Sequence, residues 1–321
     1  MQLLRNVAFV IAFAATVNAC SSLSNPTTPT TAAAIHRKAT ANSTEYLVAY
    51  DNAADDIEEW VVTSTGGTKP SVLATLTGNF ASTNVVAMSA DGDILDIAST
   101  SPAQTVQYDL STGTAVLQPD TGTAVDVADV CCQTSSTVYS SGIRKTMPYD
   151  RSPGRTIACG TIASGVAVAS DSKSNVYVQG AGSDGYVGVF EYGFSTHACT
   201  ELPLKVQKGT AAGIGMDSSD DLIVADNPNS CAGSNDGRII VYTPPYSASS
   251  GTARNISANV GCAGLFRLDS GTTGITYLFM LDSNGGSPRI DQFRYSNTSF
   301  RGSYSGGNPS APTTLPNTVP N

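Results

Sequence analysis

The sequence predicts an all-β chain, a six-bladed β-propeller of four-stranded antiparallel blades, and three observations carry that expectation. An aromatic residue, in turn Trp60, Tyr108, Tyr149, Tyr192, Tyr242 and Tyr295, closes a short β-rich run roughly every 40–55 residues, which is the spacing of successive propeller blades. Ahead of each lies a second short run rich in Val, Ile, Leu and Tyr, with turn residues between the two. After the first twenty residues no stretch of useful length repeats its apolar residues at the helical period. Composition narrows the functional classes. Charged residues make up 13% of the chain against about 25% in an average globular domain, which excludes a coiled coil or a charge-rich disordered chain. The net charge of −9 and pI near 4.6 leave no basic footprint for nucleic acid or an anionic membrane surface.

Residues 1–19 read as a signal peptide: Arg5, an apolar run from Val7 to Ala15, then small residues, too short to span a bilayer. Val17-Asn18-Ala19 fits the small-x-small cleavage rule, and Val17-Asn18-Ala19-Cys20 resembles a bacterial lipobox, whose cysteine becomes the lipidated first residue. The expectation is an exported chain, periplasmic or at the cell surface, held at the membrane only by lipidated Cys20; simple secretion is the alternative. Residues 20–42, rich in Ser, Thr and Pro, have little to bury and read as a tether.

The folded part is expected at 43–306. Its second strands are Leu47–Asn52, Ile94–Ile97, Val138–Ser140, Val176–Val178, Leu222–Asn227 and Leu278–Asp282. Its third strands end in the six aromatics, read as core residues that fill the space between stacked blades. Inner strands fit Val85–Gly92, Val125–Asp129, Val166–Asp171, Ile214–Ser219 and Leu265–Asp269, each closing in a polar turn. The first unit lacks an evident inner strand. Either residues 34–36 pair in or that blade has three strands, because residues 307–321, Pro-rich, read as a disordered tail.

Six cysteines remain after Cys20, an even number that in an exported chain favours disulfides. In the repeat frame Cys159 and Cys199 fall on outer strands of neighbouring blades, while Cys231 in the insertion 228–237 and Cys262 before the last inner strand lie towards one end. The preferred pairs are therefore Cys231–Cys262 and Cys159–Cys199. Cys131 and Cys132 are vicinal, either pointing to opposite faces of a strand or bonded to each other across a turn.

Asp91-Gly92-Asp93-Ile94-Leu95, Ser219–Asn227 and Arg238-Ile239-Ile240-Val241-Tyr242 resemble the turn, second strand and third strand of the NHL-repeat and gluconolactonase-like superfamily, over residues 46–305. That resemblance implies a six-bladed propeller. It also implies a site at one mouth of the central channel, with Asp and Asn oxygens around a hard cation such as calcium. The matching residues are Asp51, Asn52, Asp226, Asn227, Asp282 and Asn284, which end second strands. Turn capping is the leading explanation of the same residues, and the family's early metal-binding Glu has no match here.

A nucleophilic triad needs a histidine in reach, and the chain has only His36, in the tether, and His197, on an outer strand, so no catalytic residue is assigned. The acidic runs Asp51–Asp56 and Asp217–Asp221 lack calcium-loop spacing and read as solvated turns. The expected function is a binding or scaffold module in the cell envelope, monomeric, taking a protein or a small polar ligand, with calcium as the one cofactor in view. The insertion 228–237 and the loop Tyr242–Tyr246 are its expected contact elements. The alternative is a metal-dependent lactonase-like hydrolase.

Overall fold

The computed structural model describes residues 45–315 apart from loop positions, the longest being 76–84, 119–123, 147–154, 205–209, 232–236 and 270–274. The signal peptide, Cys20 and the tether therefore lie outside the described residues, as do Cys131, Cys132, Cys159, His197, Tyr149 and Asn284.

All described elements are strands: β1 (Tyr46–Asp51), β2 (Asp56–Val61), β3 (Gly66–Gly67), β4 (Ser71–Thr75), β5 (Val85–Asp91), β6 (Ile94–Thr100), β7 (Ala103–Asp109) and β8 (Thr114–Gln118). They continue with β9 (Ala124–Val130), β10 (Thr134–Tyr139), β11 (Gly142–Thr146), β12 (Arg155–Ile157), β13 (Ile162–Ser170), β14 (Val176–Gly182), β15 (Val187–Tyr192) and β16 (Cys199–Glu201). The last are β17 (Thr210–Met216), β18 (Leu222–Asn227), β19 (Arg238–Tyr242), β20 (Gly251–Asn255), β21 (Ala263–Asp269), β22 (Tyr277–Asp282), β23 (Arg289–Arg294), β24 (Ser299–Tyr304) and β25 (Pro309–Leu315).

Consecutive strands pair antiparallel into sheets ordered β5-β6-β7-β8, β9-β10-β11-β12, β13-β14-β15-β16 and β17-β18-β19-β20. The sheet β21-β22-β23-β24 gains β3 as a fifth strand, and β1-β2-β4 gains β25. The first strand of each sheet packs against that of the next, β5 on β9, β9 on β13, β13 on β17, β17 on β21, β21 on β25 and β25 on β5, so the inner strands make a closed circuit.

Stacking of sheet on sheet explains why strands such as β18, β19 and β22 carry apolar runs rather than a strict alternation. In β18 and β19 the side chains of Ile223, Ala225, Ile239 and Val241 pack with Phe266, Leu268, Leu278, Met280 and Phe293 of the following sheet. Their neighbours Leu222, Val224, Ile240 and Tyr242 pack the other way, with Ala167, Ala169, Tyr177 and Val189. The same division recurs in β1, where Val48 and Tyr50 join Met88, Leu95 and Ile97 while Leu47 and Ala49 join Trp60, Phe279, Ile290 and Tyr304. Of the repeat aromatics, Trp60, Tyr192, Tyr242 and Tyr295 are buried, whereas Tyr108 is half-buried against the Val48–Met88 cluster. Arg267 on β21 is fully enclosed and ties inner strands together, its guanidinium donating to Phe266 O at 2.9 Å and to Met88 O of β5 at 2.8 Å.

The C-terminal segment corrects the expectation of a trailing tail. Residues 309–315 form β25, which pairs antiparallel with β1 from Asp51↔Pro309 to Tyr46↔Leu315 and supplies the missing inner strand of the first unit. Proline content argued against this strand, but the positions of the prolines allow it. Pro309 is its first residue, and Pro312 falls in the register shift between Val48 and Tyr50, where Ala311 takes φ of 50°. Proline is tolerated at a strand start, at a bulge and on an edge, and an inner strand bonds to a partner on one side only.

A second tie crosses the same junction. The loop after β2 sends β3 to the outer edge of the neighbouring sheet, pairing in parallel with β24 through Ser303↔Gly66 and Tyr304↔Gly67. Backbones approach so closely that a β-carbon on Gly66 would overlap Ser303 O, and one on Gly302 would overlap Thr65. Trp60 Nε1 donates to Ser305 O at 3.4 Å and Thr63 N donates to the Tyr304 hydroxyl at 3.0 Å.

Candidate functional site

Asp51, Asn227 and Asp282 each end a second strand, and each sits beside the beginning of an inner strand. Asp51 Oδ1 accepts from Asn308 N (3.0 Å), just before β25, and from Ala53 N (2.7 Å) in its own turn. Asp282 Oδ1 accepts from Cys262 N at 3.1 Å, just before β21. Asn227, fully buried, donates Nδ2 to Ala263 O and accepts at Oδ1 from Ala263 N, both at 2.9 Å. Five of the six expected site residues thus occupy one end of the ring, and three of them, Asp51, Asn227 and Asp282, cap backbone groups where inner strands begin.

Two of these residues are also ion-paired. Asp226 meets Arg238, whose Nε donates at 2.6 Å. Arg289 bridges Asp282 and Asp291 at 3.0 Å each and donates to Asn259 O at 2.6 Å. Asp291 also accepts from Ser303 Oγ at 2.5 Å, and burial nonetheless pushes its carboxyl above the usual range. The Cys231–Cys262 disulfide closes this corner, with Cα atoms 5.2 Å apart. It is the first of the two preferred pairs. Cys199 is disulfide-bonded too, and Cys159 lies outside the described residues.

Around Asp51 the arrangement differs. Glu58 on β2 is buried, 8% exposed. A β-carbon on Gly307 would overlap Asp51 Oδ2 and stand 3.0 Å from Glu58 Oε2, so both oxygens converge on the space over that glycine. Burial, then the charges of Asp51 and Asp56, push Glu58 up to about 7. The sequence reading missed Glu58 because it looked to third strands only for their aromatics. The available signal was the alternation Asp56, Glu58, Trp60, which puts an acidic residue on a buried face.

At the opposite end the aspartates serve turns. Asp171 Oδ1 accepts from Lys173 N and Asn175 N and its Oδ2 from Asn175 Nδ2 and the Tyr177 hydroxyl. Asp217 Oδ1 accepts from Ser219 N and Asp221 N, and its Oδ2 accepts from Tyr295 of the following sheet at 3.1 Å. Burial and Asp217 raise the Tyr295 hydroxyl well above its ordinary range. The contact loop expected at Tyr242–Tyr246 is half internal. Its prolines are exposed, while the Tyr246 hydroxyl donates to Asp220 O at 2.6 Å and its ring meets Tyr177 edge-on at 5.6 Å. Of the insertion 228–237, only Cys231 and Gly237 are described. Among the described residues no three His, Cys, Asp or Glu side chains already stand as a metal-binding group.

No family model matches the chain, and no curated protein matches it. Solved structures do. A structure of the Nidogen/Laminin complex aligns over 84% of this chain and 98% of that chain, with a TM-score of 0.67 at 12% identity. The fold is a β-propeller. TolB from Acinetobacter baumannii aligns over 84% of this propeller and 66% of its own chain, with a TM-score of 0.59 at 12% identity. Regucalcin of Agrobacterium tumefaciens strain C58, a calcium-binding protein, aligns over 72% of this chain and 77% of its own, with a TM-score of 0.52 at 9% identity. At such identities the likeness is one of fold.

Proposed function

We propose that this protein is an exported, Cys20-anchored propeller of six blades that works as a protein-binding scaffold in the cell envelope. The observation that carries the reading is the use made of the polar residues at the inner-strand end. Asp226 is ion-paired to Arg238, Asn227 is bonded twice to Ala263, and Asp282 is divided between Cys262 N and Arg289. Their oxygens hold the frame, so the loops they support are what the frame presents to a partner. The closed circuit of inner strands supports a single ring of six blades. Two fold neighbours, one solved as the Nidogen/Laminin complex and the other TolB, are consistent with a protein partner.

A hydrolase of the lactonase kind would need Asp226 and Asp282 to hold a cation rather than arginines. The experiment separates the two. In an exporting bacterium, radiolabelled palmitate is expected to label the full chain and not Cys20→Ser, and in-cell cross-linking is expected to capture one defined envelope protein. Lactone hydrolysis that requires a divalent ion and disappears in Asp226→Asn would replace the scaffold reading with the enzymatic one.

A further inference from the structure

We propose that Asp51, Asn52 and Glu58 form a binding site for one divalent cation of calcium type, placed where the C-terminal strand closes the first blade. The site lies inside a single blade, taking Asp51 and Asn52 from the second-strand residues considered above and adding Glu58 of β2.

Three observations carry it. Glu58 is more than nine-tenths buried and its Oε2 has no hydrogen-bond partner. Burying a carboxylate oxygen with nothing to meet it is costly. That oxygen and Asp51 Oδ2 point at one space, the one a side chain at Gly307 would fill. The third concerns the residues beside Asp51, its chain neighbour Asn52 and its ladder partner Asp56. Asn52 Oδ1 and Asp56 Oδ1 are also buried without a partner, and among the described residues no basic side chain pairs with Asp51, Asp56 or Glu58. By contrast, the second-strand aspartates Asp226 and Asp282 each meet an arginine. The donors are all hard oxygens, two carboxylates and an amide, with water to complete the shell. That set suits calcium, which takes 6–8 oxygens in flexible geometry, better than zinc, which prefers nitrogen and sulfur.

The position gives the cation a task. Asp51 Oδ1 holds Asn308 N, and Asn52 N donates to Asn308 O at 3.3 Å. Neutralising the carboxylates would fix Asp51 and Asn52 on the segment that leads into β25. Bound cation and ring closure are therefore coupled, as any ligand that binds only the closed form stabilises it.

The test uses the full chain stripped with EDTA, its thermal unfolding followed with and without 2 mM CaCl2 and, separately, 2 mM MgCl2, beside calorimetric titration with calcium alone. The wild type is expected to gain about 5 °C in calcium and to bind one equivalent. Glu58→Gln keeps the shape and removes the charge, so it should be at least as stable as the stripped wild type while losing nearly all of the gain. Gly307→Ala should lose it as well, whereas exposed Glu201→Gln should keep it. A wild type indifferent to calcium, or a Glu58→Gln variant that still gains several degrees, overturns the proposal. Partner capture by the scaffold is read separately and does not bear on this outcome.

Discussion

The junction between the β17–β20 and β21–β24 blades and the junction between the β21–β24 and β25–β1–β2–β4 blades do the same job by different means. The first is sealed covalently and with satisfied polar groups: Cys231–Cys262, Asn227 on Ala263, Tyr295 on Asp217, and Arg254 donating to Tyr295 O at 2.8 Å while lying over that ring. The second has no described covalent link. It is sealed by strands borrowed across the gap, β25 onto β1 and β3 onto β24, and it carries strained charge. Glu45, ahead of β1, is pushed up to about 8 by burial and then by Asp269. The first junction is thus locked by a disulfide and side-chain polar contacts, whereas the second relies on backbone pairing backed by Trp60 and Tyr304.

Four perturbations sharpen that contrast, from the largest effect to the smallest. Ending the chain at Gly306 removes β25 and exposes the inner edge of β1. Circular dichroism and limited proteolysis should show a fall in Tm of ~10 °C or more, or no cooperative transition at all. Cys262→Ser opens a bridge whose partners are 31 residues apart, for a loss of about 3–4 kcal/mol by loop entropy, measured by denaturant unfolding. Asn227→Ala leaves the N–H and C=O of Ala263 buried and unmet, costing about 2–3 kcal/mol in the same measurement.

The smallest effect depends on pH. Glu45 binds its proton more tightly in the folded chain, so its contribution declines as pH rises from its ordinary value of 4.5 through about 8. Glu45→Gln should therefore melt within about 1 °C of the wild type at pH 5 and about 2–4 °C above it at pH 9. Glu58 shifts in the same direction, but it is common to both chains and drops out of the difference.

How far the sequence could be read follows the same division. The sheets with both faces covered announce themselves as apolar runs closed by an aromatic, which is why Leu222–Asn227 and Arg238–Tyr242 were legible as strands and the Cys231–Cys262 pair as a consequence. The closing strand Pro309–Leu315 carries two prolines and three hydroxyl residues and buries all of these but Ser310, in an inner strand where small polar side chains fit and hydropathy gives no signal. Strand β3 is two glycines, selected for close backbone approach and invisible to any pattern of side chains. Asp51 and Asn52 stand out in the sequence as polar residues that end a run of β-formers, whereas Glu58 sits on a strand whose pattern is dominated by Trp60.

Amide hydrogen exchange across residues 309–315 tests the central claim, that the C-terminal segment is an inner strand of the ring. The account predicts that amides of Ser310, Thr313, Thr314 and Leu315 exchange as slowly as those of Leu222–Asn227, since both open only when the ring does. Exchange in that segment at the rate of an unstructured peptide, with Leu222–Asn227 still protected, would contradict it.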